Sequence, residues 1–240
     1  MRRILPEPAG EADLAAAYAY PPAPWLRLNM VAGADGGAWL AGVSEGLSGK
    51  ADRRVFGVLR GLADVIVAGA STVRGEGYGP VRPRRSWAAL REGRPPTPPI
   101  AVVTGRLDLD LAGPLFTDPE PGVRPIVITT EAAPAERRAA AARHADVVVA
   151  GERRADPAVA LAALHERGLT RVLCEGGPHL NGELLAAGLV DELCLTISPL
   201  LTGGDAARIV AGPDAPTPMR LSHVLAEDGF LFCKYTREAP

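Results

Sequence analysis

The segment Glu175-Gly176-Gly177-Pro178-His179-Leu180-Asn181-Gly182 combines residue types suited to holding a nucleotide. It sits between an apolar run, Val172 to Cys174, and the start of a helical pattern. Paired glycines let a ligand come close to the backbone, and the free N–H groups of a helix start favour phosphate. Gly176, Gly177, Pro178, His179, Leu180 and Asn181 are therefore candidate cofactor residues, with the Glu175 carboxylate beside them. A second turn of this kind, Gly69-Ala70-Ser71-Thr72-Val73-Arg74-Gly75-Glu76-Gly77, offers backbone donors and the Thr72 hydroxyl. Neither is the G-x-G-x-x-G fingerprint of a Rossmann unit, which should also follow the first strand. Thr104-Gly105-Arg106 places a hydroxyl and a guanidinium at a strand end, a pattern suited to a 2′-phosphate and so to NADPH over NADH. Asn29 lies inside an apolar strand, where a buried amide needs partners. Asp35 either orients a substrate amine and relays a proton or performs ordinary turn chemistry before Gly36. Arg60, beside Leu59 on a helix, needs an anion: a structural carboxylate and a substrate phosphate are both open.

Alternating strands and helices must position these groups. Trp25 to Ala32 predicts the first strand, and Asp35-Gly36-Gly37 a tight turn. Val55, Leu59 and Leu62 mark one face of a helix over 49–62, with Ser48 as its N-cap. Val65 to Ala68 reads as a strand buried on both faces. Residues 79–99 hold six prolines and five arginines, expected to form a mobile surface excursion. Strands follow at 100–103, 126–129, 147–149, 172–174 and 193–197, and helices at 134–143, 157–167 and 180–187. This rhythm predicts a largely parallel sheet covered on both faces. Residues 219–226 and 230–235, around Glu227-Asp228-Gly229, predict an antiparallel hairpin at one edge. The Pro- and Ala-rich residues 1–24 read as a loosely attached arm that wraps onto the domain or frays, and 25–240 as a single domain.

Composition narrows the function. The chain has 240 residues, is 47% hydrophobic and carries a net charge of -2, so it has material for a core and no basic surplus for nucleic acid. No apolar stretch is long enough to span a membrane, and Pro6 and Pro8 interrupt any signal-like run, which makes the cytoplasm the expected compartment. Cys174, Cys194 and Cys233 lie far apart, as expected of three buried strand thiols rather than a disulfide framework. His144, His165, His179 and His223 are scattered without metal-ligand spacing, so no metal is expected.

Taken in order, four segments resemble the pyrimidine reductase family of riboflavin biosynthesis. They are L-R-L-N-M-V-A-G-A-D-G-G from Leu26, D-R-R-V-F-G-V-L-R-G-L-A-D-V-I-V-A-G-A-S-T-V-R from Asp52, V-L-C-E-G-G-P-H-L-N-G-E-L-L from Val172, and L-V-D-E-L-C-L-T-I-S-P-L-L-T-G-G from Leu189. The resemblance implies a three-layer α/β/α fold like that of dihydrofolate reductase, mostly parallel with an antiparallel C-terminal hairpin. It implies NADPH-dependent reduction of a ribosylamino-pyrimidine phosphate to its ribitylamino form, and a homodimer, to which the Pro-rich arm also points. It places Thr72, Glu76 and the stretch from Gly177 to Glu183 against the cofactor. Ser44, Arg60 and Glu175 match substrate-holding positions, and Arg82 falls near a further substrate arginine. Asp35 and Glu175 are the expected catalytic pair.

The chain departs from the family in three places. G-A-D-G at Gly33 to Gly36 replaces S-L-D-G. Glu76 replaces an aspartate, and E-G-Y-G-P-V-R follows where D-P-x-L-T-x-R is usual. The zinc motifs of a fused deaminase are absent, which points to the reductase half alone. The altered loops keep a pterin such as dihydrofolate open as an alternative substrate on the same fold. A nucleotide-binding protein without turnover is a third reading, supported only by the gap at Gly33-Ala34.

Overall fold

The computed structural model describes residues 1–7 and 9–238. Pro8 of the expected arm and the last two positions of the expected domain lie outside them. Eleven strands form one sheet: β1 (Arg2–Leu5), β2 (Ala9–Glu11), β3 (Trp25–Gly33), β4 (Val65–Gly69), β5 (Ile100–Val103), β6 (Ile126–Thr129), β7 (Asp146–Val149), β8 (Arg171–Cys174), β9 (Glu192–Ser198), β10 (Met219–Glu227) and β11 (Phe230–Arg237). Their order is β2-β1-β10-β11-β9-β3-β8-β4-β5-β6-β7. From β9 to β7 every pairing is parallel, and from β9 to β2 every pairing is antiparallel.

Alternation along the strands divides the core in two. On β4, Ile66 and Ala68 point to one face, and Val65 and Val67 to the other. The first face packs on α2 (Lys50–Leu62), α4 (Pro114–Thr117) and α5 (Ala135–Ala142), through Val55, Leu59, Phe116 and Ala141 among others. The second packs on α6 (Pro157–His165) and α7 (Pro178–Ala186), through Leu161, Leu164, Leu180 and Leu184. The short helices α1 (Leu14–Ala17) and α3 (Ala70–Gly75) complete the set. The three-layer α/β/α arrangement and the C-terminal hairpin match the sequence expectation. The three cysteines are free and buried.

One local expectation is decided and two change. Residues 1–24 are stitched to the domain: β1 pairs with β10, and Tyr18 is 1% exposed within the first core. Apolar side chains at that position have a core to join, so of the two expected outcomes the segment wraps onto the domain. Ser48 does not cap α2. Its N–H closes the preceding 3-10 turn on the Glu45 carbonyl and its hydroxyl donates to Asp52 Oδ2 at 2.5 Å, leaving Gly49 as the N-cap.

The 79–99 excursion is anchored on α2. Trp87 Nε1 donates to the Gly57 carbonyl at 2.9 Å. Arg91 and Arg94 reach the Gly61, Leu62 and Ala63 carbonyls that the helix end leaves unpaired. Gly61 makes the approach possible, because a Cβ there would lie 2.8 Å from the Trp87 ring.

Candidate active site

The carboxyl edge of the parallel strands gathers most of the residues singled out by sequence. Adjacent strands β4 and β8 end there together, and the Gly69 N–H donates to the Gly176 carbonyl at 2.7 Å. The two glycine turns are thus one surface. Gly176 has φ +87°, a conformation that favours glycine, and a cis peptide joins it to Gly177. A Cβ on Gly177 would lie 2.6 Å from Thr72 Oγ1, so Thr72 packs directly on the Gly177 backbone, and the glycines keep this seat beside it free of side chains. α7 starts at this seat. Its first-turn N–H groups have no intrahelical acceptors, and Gly177 provides no side-chain cap. His179 is exposed on that turn.

Other members of the turn serve the protein itself. Asn181 is fully buried: its Nδ2 donates to the Ile209 carbonyl at 2.8 Å, and its Oδ1 accepts from Cys174 Sγ. Leu180 belongs to the second core, and the Pro178 carbonyl accepts from the Ala211 N–H at 3.0 Å. The Asn181 and Leu180 side chains and the Pro178 carbonyl thus fix the helix in place, because an amide in a packed interior must be satisfied internally, and what this turn offers a cofactor is its backbone N–H groups. Thr104 is corrected in the same way. It is 6% exposed, and its Oγ1 accepts the Leu107 N–H at 3.0 Å, closing the turn after β5. The Gly105 carbonyl accepts from Thr130 Oγ1. Arg106 is exposed on that turn, and its guanidinium is unbonded among the described residues.

Beside the glycine seat, on the α2 face, lies a compact polar cluster. Arg60 Nε and Nη2 donate to Glu175 Oε1 and Oε2 at 2.8 and 2.7 Å. Tyr78 Oη donates to Glu175 Oε2 at 2.6 Å. The guanidinium stacks 4.3 Å from the Phe56 ring centroid, with the Tyr78 ring at 5.5 Å. Of the two anions left open for Arg60, the one present is a structural carboxylate. Glu175 has both oxygens committed, so it holds Arg60 rather than standing free for proton transfer, as a catalytic role would ask. Burial, followed by the neighbouring Glu175 charge, pushes the Tyr78 phenol well above its ordinary range. Asn29 lies one position beyond the last β3–β8 pair, Leu28 opposite Cys174, half-buried, and its amide makes no side-chain hydrogen bond among the described residues.

Asp35 is held as an anion. Its Oδ1 accepts from Thr202 Oγ1 at 2.9 Å and its Oδ2 from the Gly203 N–H at 2.8 Å. The backbone donors of Gly203 and Thr202 bring its carboxyl down to about 2. A group that acidic is a poor proton carrier near neutrality, so the relay expected of Asp35 gives way to an anchoring role. Glu76 and Ser44 do meet: the Ser44 N–H donates to Glu76 Oε1 at 2.8 Å. Arg82 is instead drawn to Asp118 and Glu120 on an exposed loop, which uses its guanidinium outside the cluster.

Phe56 and Tyr78 escaped the sequence reading. Phe56 precedes Arg60 by four positions on one helix, a legible stacking interval. Tyr78 stands between Gly77 and Gly79, a single aromatic ring in a glycine loop.

An open α/β sheet with two joined glycine turns and a polar cluster outside the carboxyl ends of its parallel strands defines the class of this protein. Residues 24–228 match the family described as RibD C-terminal domain, and the chain belongs to that family. The 2,5-diamino-6-ribosylamino-4(3H)-pyrimidinone 5′-phosphate reductase of Methanothermobacter thermautotrophicus is 32% identical over 221 residues, 89% of this chain and 98% of that one. A pyrimidine reductase-like protein from Corynebacterium diphtheriae shares the structure at TM-score 0.81 and 29% identity, covering 90% of this chain and 93% of that one. The deaminase/reductase of Thermotoga maritima shares the fold at TM-score 0.68 and 20% identity, over 90% of this chain and 57% of its own length. No helix among the described residues is long and apolar enough to cross a membrane, and no group of three or more His, Cys, Asp or Glu is placed to hold a metal ion.

Proposed function

We propose that this chain uses NADPH to reduce a ribosylamino-pyrimidine 5′-phosphate to its ribitylamino form in riboflavin biosynthesis. The observation that carries this reading is the bare glycine backbone beside Thr72, where the two joined turns meet at the uncapped start of α7. The residues present fit a dinucleotide. The N–H groups of the first α7 turn hold its pyrophosphate, the Thr72 hydroxyl lies beside the seat, and Glu76 borders it on the Ser44 side. When bound, the nicotinamide supplies a hydride, here directed to the sugar C1′ of the ring-opened imine. The chain's own part is positioning. Glu175, Tyr78 and Phe56 fix the Arg60 plane and leave its Nη1 for the substrate, while the Asn29 amide offers both a donor and an acceptor.

Arg106 reads the 2′-phosphate, since it is the uncommitted cation at the end of β5. Replacing it by alanine narrows the preference for NADPH over NADH; an unchanged affinity ratio assigns that task to another residue. The working form is a cytoplasmic homodimer. Its support is the sheet face away from α2, where Leu195 and Ile197 are half-buried and Leu221 and Leu231 are 38% and 37% exposed. Light scattering that gives a monomer at micromolar concentration removes the dimer.

The test is oxidation of NADPH, followed by absorbance, with the ribosylamino-pyrimidine phosphate and dihydrofolate side by side. Rapid turnover of the pyrimidine is expected. Turnover of dihydrofolate alone moves the assignment to a pterin, and binding without turnover of either makes the chain a nucleotide-binding protein.

A further inference from the structure

The segment 199–212, between β9 and β10, touches both ends of the candidate site. At the β3 end it is joined to the turn 33–38 by four bonds. The Ala34 N–H donates to the Leu200 carbonyl at 2.7 Å, and the Ala38 N–H to the Ala207 carbonyl at 2.8 Å. Between them, Thr202 Oγ1 and the Gly203 N–H hold the two oxygens of Asp35. Gly33 and Gly37 leave the room for this: a Cβ on either would collide with Thr202. At the other end the same segment is bonded to α7. The Ala211 N–H donates to the Pro178 carbonyl at 3.0 Å and Asn181 Nδ2 to the Ile209 carbonyl at 2.8 Å. α7 sits so close that a Cβ on Gly182 would overlap the Ala211 carbonyl.

We propose that Asp35 and Thr202 form a clasp that fixes segment 199–212 and, through it, the start of α7. Both are then positioning residues: they act on the cofactor end of the site from the end of β3, without touching the cofactor. The physical reason is a short path along the chain, since only residues 204–208 separate Gly203 from Ile209, and Ala207 among them is itself bonded to the Ala38 N–H. Pro178 and Gly182 lie on the first two turns of α7, and both are in contact with Ala211. A segment pinned at 202–203 limits how far 209–211 can move, and a packed contact transmits that limit directly. The pin is two hydrogen bonds to an ionised carboxylate at the surface, beside the backbone bonds at Leu200 and Ala207.

The test compares Thr202→Val, which keeps the shape and removes the O–H donor, with Thr202→Ser, which keeps the donor. Amide hydrogen exchange and NADPH binding, read by protein fluorescence, are measured on the full chain. In Thr202→Val, exchange is expected to quicken roughly tenfold at 203–211 and in the first turn of α7, and NADPH binding to weaken roughly fivefold. Thr202→Ser should stay close to the parent in both. Asp35→Asn combined with Thr202→Val should weaken NADPH binding no more than the larger single effect, because the two residues share one bond. Faster exchange confined to 202–204, or additive losses in the double variant, would overturn the clasp. The inference rests on the proposed cofactor site for its binding readout only. If the parent protein fails to bind NADPH, that site is refuted, while the exchange pattern still decides whether the clasp reaches α7.

Discussion

Arg60 and Glu175, 115 positions apart in the chain, meet in a bidentate pair between α2 and the end of β8. Side-chain exposures of 17% and 3% leave little water to screen it. The pair is therefore a joint in the framework as well as part of the crevice wall, with Tyr78 supplying a further donor to the carboxylate.

Glu175→Gln leaves Arg60 without a compensating charge in a mostly buried place. Loss of one partner of such a pair costs about 3 kcal/mol, which urea unfolding would show as a lower midpoint. The KM for the pyrimidine should rise at least ~10-fold, since the Arg60 plane is no longer fixed, while NADPH affinity changes by less than about twofold. Equal losses in both affinities would place Glu175 on the cofactor side.

Gly177→Val puts a branched side chain where even a Cβ meets the Thr72 hydroxyl. NADPH affinity should fall by at least ~100-fold, about 2.7 kcal/mol, measured by fluorescence titration. A variant that stays folded and binds NADPH normally would locate the pyrophosphate elsewhere.

Asp35 has its carboxyl lowered to about 2 from an ordinary 3.8. The folded value lies below the unfolded one, so the contribution of the clasp is complete above about pH 4 and fades as the pH falls towards 2. Near neutrality Asp35 does not titrate. The ratio of parent to Asp35→Asn turnover should be flat across the neutral range; a ratio that bends there would restore a proton-transfer role.

His223 also loses its contribution on acidification, but in a higher pH window. It is 8% exposed, its ring meets Tyr18 edge-on at 5.1 Å, and its Nε2 has no partner. Burial, then the Lys234 charge, lowers its pKa to about 4. The unfolded chain takes up this proton near the ordinary imidazole value, so stability should decline as pH drops from about 6.5 towards 4. The loss is at most ~3 kcal/mol, and His223→Phe should remove most of that slope in urea unfolding at a series of pH values. An unchanged slope would place the titrating group elsewhere.

Much of the fold was legible because its signals are local. Apolar runs with alternating faces marked β4, β5 and β6, and the interval Val55, Leu59, Leu62 marked α2. The glycine turns were legible as a pair, since close backbone approach leaves few other choices of residue. What escaped was set by partners distant in sequence. The Arg60 anion is 115 residues away, the partners of Asp35 are 167 and 168 residues away, and the amide of Asn181 is satisfied by a carbonyl 28 residues on. The excursion 79–99 looked like free loop because its composition is Pro- and Arg-rich. Its anchoring depends on Gly57 and Gly61 facing Trp87 and on helix-end carbonyls that no periodicity reveals.

The short β1 and β2 have a consequence for behaviour in concentrated solution. β10 is nine residues long, and on its far side Val224, Leu225 and Ala226 pair with β1, which breaks register after Arg3 and is followed by the three-residue β2. A long bare strand at this margin would template pairing with strands of other molecules. Over Val224 to Ala226 the irregular N-terminal pair replaces that template with a short stub bearing Arg2 and Arg3, which shortens the length of strand open to addition at this margin. Trimming the first dozen residues would thus expose a polymerisation edge while leaving the crevice intact.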